Sequence, residues 1–297
     1  MNILPPRAID GTSLISSSVA ENDYPSWSAG AAYVTGGRCI VAATHKIYEA
    51  LQASTNQYPP NTIGVYWVEV SATNRWAMFD GKVGTQTVAA ESITVHIASG
   101  ALNTVGVLNV DADSVLVVVR DKDGNEVYRR EIIMNSSAKV VDWYTYFFMP
   151  VDERTTDLVL TDIPLWPLAT LEVTISAPGG TAACGILLFG SVQTIGTLLW
   201  SPEVSIIDYS RKEVDEYGNP TLTVRGFAKL MSADVHLETR RVAEKQRLLA
   251  KYRATPLLWI GCTDFESTIV YGFYRSFSIV ISRPTTSDMT LEVEGLI

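Results

Sequence analysis

The chain has 297 residues, 47% of them hydrophobic and 19% charged, which suits two or three folded domains and excludes a disordered chain. Its net charge of −9 argues against a nucleic-acid binder, which usually carries a basic face. Cys39, Cys184 and Cys262 are far apart, so neither a disulfide framework nor a zinc site is expected, only buried thiols in a protein made in the cytoplasm. The first residues lack the pattern of a cleaved leader, and no run is long and apolar enough to span a bilayer, so membrane insertion is not expected.

Residues 1–22 are small and polar around Ser16, Ser17 and Ser18, and read as an arm that folds only against a partner. Residues 23–80 form a small aromatic-rich β module with its junction. It contains Trp27, Tyr33, a Gly36-Gly37 turn, predicted strands at 39–42 and 46–51, a polar loop with Tyr58-Pro59-Pro60, and a closing strand with Tyr66 and Trp67. So short a unit buries little core, and aromatic rings offset this with large area per residue. Trp27, Tyr33, Tyr48 and Trp67 therefore have two readings, as the core of the module or as its binding site. In 74–80, Trp76, Met78 and Phe79 suit a segment wedged between two domains, with Arg75 and Asp80 placed to pin it by an ion pair; the other reading is an ordinary strand.

Residues 81–195 read as an antiparallel β-sandwich, galectin-like or jelly-roll-like in general form. Strands are predicted at 92–97, 105–110, 114–120, 126–130, 140–149, 157–161, 170–177 and 184–193. The Asp-Gly in 121–125 signals a hairpin. It also imitates the start of a calcium loop, but the flanking helices and distal glutamate are missing, so no metal is assigned. Pro178-Gly179-Gly180 reads as a turn.

Residues 196–297 read as a β-sheet domain with one α-helix. An extended stretch at 197–209 and a tight turn at 215–220 precede strands at 221–227 and 232–238. A helix is predicted over 239–253, with Thr239 as N-cap, Val242, Gln246 and Leu249 on one face, and Thr255-Pro256 as the stop. Strands at 257–262, 268–273, 277–282 and 289–294 complete a small sheet that the helix covers on one side. The helix carries Arg240, Arg241, Lys245, Arg247, Lys251 and Arg253 against Glu244 alone. This is either a solvated face or a subunit contact made by Arg240, Arg241 and Lys245 with acidic loops such as 215–216 of a neighbour.

Trp27, Tyr33 before a glycine turn, Ile40-Val41, Tyr48-Glu49-Ala50, the proline loop and Trp67-Val68-Glu69-Val70 resemble, over about fifty residues, the small carbohydrate-binding module appended to many chitinases. The resemblance implies a glycan site. Where that family carries adjacent exposed aromatics this chain has Leu51, Gln52 and Ala53, which leaves Tyr58 and Tyr66 as the substitutes. Residues 74–80, Trp200-Ser201-Pro202, 206–213, 215–219, 225–229 and 271–275 are similar to runs in virion proteins of bacteriophage tail and baseplate modules. The combination with a sandwich and a sugar module resembles the distal tail protein family of long-tailed phages, whose sheet domain forms a ring at the tail tip. Here the order is reversed, with the ring-like part last.

No catalytic constellation is visible. His45, His96 and His236 fall in different units without metal-ligand spacing, and no nucleophile elbow, P-loop or dinucleotide motif is present. Asp208, Asp215 and Glu216 flank a turn beside Arg211 and Lys212, which suits a solvated loop better than a carboxylate pair across a cleft. The expectation is therefore a structural, non-enzymatic component of a phage tail tip or baseplate, without cofactor. It assembles with its own copies and other tail proteins and contacts cell-surface polysaccharide through its module. A free carbohydrate-binding protein is the alternative.

Overall fold

A computed structural model describes residues 1–134, 143, 147, 155–214, 216–263 and 265–296. The protein is mostly β, and every named strand pairing among these residues is antiparallel. The N-terminal segment is not the free arm its composition suggests. Its strand β1 (Asn2–Leu4) is paired on both sides, with Asn2 opposite Thr194 and Ile260, and Ile3 and Leu4 are fully buried. Its strand β2 (Leu14–Ser17) pairs near residues 95–97. The partners of β1, around residues 193–194 and 258–260, lie about 190 and 255 residues away, so nothing local to the sequence marks it as a core strand.

The small module follows as β3 (Ala32–Tyr33), β4 (Arg38–Val41), β5 (Lys46–Ala50), β6 (Ser54–Thr55) and β7 (Trp67–Ala72). Strands β4, β5 and β7 form a three-stranded sheet and β3 pairs with β6. The core is Cys39, Val41, Tyr48, Ala50 and Trp67, with Trp27, Tyr33, Tyr58 and Tyr66 packed around it.

The sandwich comprises β8 (Thr87–Ile97), β9 (Thr104–Asp111), β10 (Ser114–Arg120), β11 (Glu126–Ile133), β12 (Leu158–Leu160) and β13 (Thr170–Gly190). The β10–β11 hairpin turns as its Asp-Gly demands: Gly124 takes φ +87°, and Asp121 accepts from the backbone N–H groups of Asp123 and Asn125. Pro178-Gly179-Gly180 does not separate two strands. It is a bulge inside the single strand β13, whose register against β8 shifts between Ser176 and Thr181. The first half of β13 joins β10 and β8, and the second half joins β8 and β9, so one strand runs through both leaves. Alternate residues from these strands, among them Val95, Val107, Val117, Val173, Cys184 and Phe189, fill the core between the leaves. The strand expected at 140–149 lies outside the described residues except for Trp143 and Phe147, and these two are helical and exposed.

The last unit contains β14 (Gln193–Thr194), β15 (Thr197–Leu198), β16 (Glu203–Asp208), β17 (Arg211–Val214), β18 (Pro220–Thr223), β19 (Phe227–Glu238), α1 (Val242–Lys251), β20 (Leu257–Ile260), β21 (Ile269–Val280) and β22 (Thr286–Gly295). Its main sheet has eight strands, in the order β14-β1-β20-β21-β22-β19-β15 with β16 also on β19, and is thus larger than expected. The two end strands are joined by Ile195 and Gly196 alone. Ile195 donates to Met1 O at 3.0 Å, while a side chain on Gly196 would meet His236 O at 2.4 Å. The sheet therefore closes on itself around a core that includes Ile3, Val235, Trp259, Leu291 and Val293. The helix covers this core with Leu249, and Leu248 and Tyr252 pack beside it. It starts three residues later than expected, after a 3-10 turn. Thr239 does not cap it, since its hydroxyl donates to Arg283 O at 2.8 Å, and Gln246 is exposed while Lys245 takes the inner face.

The sandwich and the closed sheet pack face to face. Leu108, Val159, Ile186 and Leu188 from the sandwich meet Leu4, Leu258, Ile260, Ile269 and Tyr271. This explains why the second half of β13, and all of β20, are buried on both faces. At the edge of the contact Lys229 Nζ lies 2.5 Å from Asp157, and Thr156 Oγ donates to Glu266 at 3.1 Å.

Candidate assembly interface

Two of the residues nominated for sugar binding are interior. Trp67 is fully buried and Tyr48 is 2% exposed, so neither can stack on a ligand. The Trp67 and Trp27 indole N–H groups both donate to Gln57 O, at 2.9 and 3.1 Å. Tyr33 packs edge-on to Trp67 and Tyr58 edge-on to Trp27, with ring centroids 4.9 and 5.0 Å apart. Tyr33 also accepts from Ser28 N at 2.9 Å. Tyr58 and Tyr66 are half-buried against the same core. The large apolar side chains that the module does expose are aliphatic: Val34, Leu51, Ile63, Val65, Val68 and Val70. They lack the flat aromatic face that stacking on a sugar ring uses.

Residues 74–80 do lie between the module and the sandwich, but without the ion pair expected of Arg75 and Asp80. Residues 77–79 form a 3-10 turn, and Trp76 and Met78 are buried in the sandwich core. Trp76 stacks on His45 of the module at 4.0 Å, and His45 Nδ1 lies 3.0 Å from Glu21, which also accepts from Thr73 Oγ. Phe79 packs edge-on to Trp76. The Asn74 side-chain amide pairs with both backbone groups of Val88, each at 2.8 Å, imitating one rung of a strand. Asp80 does not bind Arg75. It accepts instead from Lys82 N and Thr85 Oγ, and it faces Tyr271, whose phenol is raised above its ordinary pKa by burial first and by this charge second. A single-residue spacing rule could not have found this, because the short Asp80 side chain is consumed by its own loop.

The helix cations are also used internally. Lys245 is buried, with its ammonium donating to Thr194 O at 2.9 Å and to Glu244 at 3.1 Å, so it belongs to the closing seam and not to a subunit contact. Arg240 and Arg241 both pair with Glu238, at 2.8 and 3.3 Å, an acid one residue outside the predicted helix. The three histidines lie apart, each beside a carboxylate: His45 with Glu21, His96 with Glu172 and His236 with Asp288. Among the described residues no group of three or more His, Cys, Asp or Glu side chains is placed to hold a metal ion.

The surface that stands out is a ribbon built around the predicted turn at 215–220 and the predicted strand at 221–227. Strands β16 and β19 pair up to Asp208 and Phe227, Tyr209 N donates to Gly226 O, and β17 and β18 continue outward to the turn at 216–219. Every residue of β17 and β18 is exposed. At about 3.3 Å per residue the ribbon reaches roughly 25–30 Å beyond the closed sheet. Side chains alternate across such a ribbon. The register Lys212–Leu222 and Val214–Pro220 gathers Val214, Pro220 and Leu222 on one face together with Lys212, and Arg211, Glu213, Thr221 and Thr223 on the other. The arm is therefore amphipathic, with its apolar face in solvent: Val214 is 69%, Leu222 66% and nearby Val224 87% exposed. Asp208 is occupied at its base, its carboxyl held below the ordinary range by hydrogen bonds from Ser210 and then by Lys212.

No known protein-family model matches the chain, and no relative is found among curated proteins.

Proposed function

We propose that this chain is a self-assembling structural subunit, of the tail-tip or baseplate kind that its sequence resembles, and that it works by docking to other copies. The observation that carries this reading is the projecting amphipathic ribbon. An isolated two-stranded ribbon is marginally stable in water, and an exposed edge with apolar side chains invites association. From Val204 to Phe227 eight large apolar residues are 43–90% exposed. Five of them are aliphatic and three aromatic, spread along both strands of the ribbon, and apolar side chains exposed in such numbers on one projecting element mark an interaction site. Contact with cell-surface polysaccharide is no part of this reading, since the module's aromatics form its core.

The test is the mass of the purified chain by light scattering across a hundredfold range of concentration, with negative-stain microscopy of the largest species. Closed oligomers are expected. A monomer at every concentration would sink the proposal.

A further inference from the structure

A groove of about 550 Å³ runs between α1 and the end strand β14. Gln193 and Thr194 form one wall. The helix and the turn before it supply four cations, Arg241, Lys245, Arg247 and Lys251, against one acid, Glu244. Four charges against one leave three positive charges in excess, on a chain whose net charge is −9. The surroundings do not cancel them, because Glu238, the partner of Arg241, is itself matched by Arg240. Arg247 and Lys251 are exposed one turn apart and have no acidic partner among the described residues; Lys251 lies only against the ring of Tyr252, at 5.1 Å. Lys245 is buried at the groove wall, and its ammonium donates to Thr194 O and to Glu244. An ammonium has three N–H groups. The third has no acceptor among the described residues, and a buried charged donor left unpaired costs free energy.

We infer that this groove binds a small, linear, multivalent oxyanion of the phosphate type. Arg241 and Lys251 stand about 15 Å apart along the helix. A short chain of charges matches that strip, and a single ion reaches only part of it. The excess of positive charge sets the charge of the ligand. Guanidinium groups hold phosphate oxygens in pairs, and ammonium groups act as point charges beside them. The acceptor that the third N–H of Lys245 lacks is an oxygen of the bound anion. None of the described groove residues is aromatic, so nothing there stacks on a base, which separates the site from a nucleic-acid groove. Groove and arm share no residue, and this inference stands apart from the assembly reading.

The test is calorimetric titration of the full chain with tripolyphosphate at about 0.05 M salt, where screening is weak. One saturable site per chain is expected, weakening as salt is raised. Inorganic monophosphate should bind roughly tenfold more weakly, because it reaches fewer of the cations. Arg247→Ala and Lys251→Ala should each weaken tripolyphosphate roughly fivefold to tenfold. Both side chains are exposed, so circular dichroism and the melting of the free chain should stay as in the wild type. Arg253→Ala, just beyond the groove, should leave the affinity as it was. Absence of saturable binding, or an equal loss from Arg253→Ala and Arg247→Ala, would overturn the site, since that is what a merely basic surface gives. Tighter binding of a short oligodeoxythymidylate than of tripolyphosphate would overturn the choice of a small anion.

Discussion

Trp67→Ala separates the two readings of the aromatic module. Trp67 is fully buried among Cys39, Val41, Tyr48 and Ala50, so its removal leaves a cavity in a core of five side chains. Truncating a buried tryptophan costs about 3–5 kcal/mol. The hydrogen bond is a minor part of this, because Gln57 O still accepts from Trp27 Nε1. A whole domain is stable by about 5–15 kcal/mol, and a unit this small sits at the low end. The loss therefore opens the module while the larger sheets persist. At a factor of ten per 1.4 kcal/mol, its open population rises by roughly a hundredfold or more. Hydrogen exchange followed by mass spectrometry reads this directly. Amides of β4, β5 and β7 should exchange at least a hundredfold faster, and those of β8 and β13 at their former rate. Unchanged exchange in the module would refute the core assignment, and equal acceleration everywhere would refute its independence from the sandwich.

Three further outcomes follow from specific contacts. Gly196→Ala places a methyl where His236 O and the Leu237 and Val235 side chains already lie within 2.7 Å, so it should force the seam apart; thermal unfolding should shift down by several degrees, and an unchanged midpoint would count against closure of the sheet. Burial pushes the Cys39 thiol up to about 11 and Cys184 up to about 12, so at pH 8 a thiol reagent should modify Cys262 first and reach all three only after denaturation; three equivalents from the native chain would contradict the burial. Asp10 accepts from the backbone and hydroxyl groups of Thr12 and Ser13, which lowers its pKa to about 2. A depressed carboxylate stabilises the fold above its ordinary pKa and loses that contribution as pH falls from about 4 through about 2. Titration of the Asp10 carboxyl by NMR should give a midpoint near 2, and a midpoint near 4 would show that the turn does not form.

What could be read in advance was what local pattern dictates. Alternation located most of the sandwich strands, the Asp-Gly turn after Arg120 set its hairpin, and the apolar spacing of Val242 and Leu249 placed the helix against the sheet. What could not be read was pairing across long separations. Ile3 and Leu4 look like the start of a polar tail, yet they are central because Trp259 and Leu258 arrive opposite them from the far end of the chain. Pro178-Gly179-Gly180 has the composition of a turn, but a bulge satisfies the same residues without reversing the chain, and only the partners of β13 distinguish the two. Lys245 carries the same charge as its neighbours, and nothing but the position of Thr194 removes it from the surface.

The arm shows the same limit of local pattern. Its second strand alternates like the buried ones, with apolar Leu222 and Val224 set against polar Thr221 and Thr223, while its first, Arg211–Val214, brings Lys212 to the side of Val214. From sequence it was indistinguishable from one more strand of a domain core. The difference appears only when the partners of the larger sheets are known. The sandwich faces close on each other, the second face of β13 meets β20, and the helix lies over the inner core of the closed sheet. The arm keeps Val214 and Leu222 two-thirds exposed, with nothing in the described chain to bury them. A pattern that costs solubility when exposed is consistent with the rest of the fold if its cover is supplied from outside the chain.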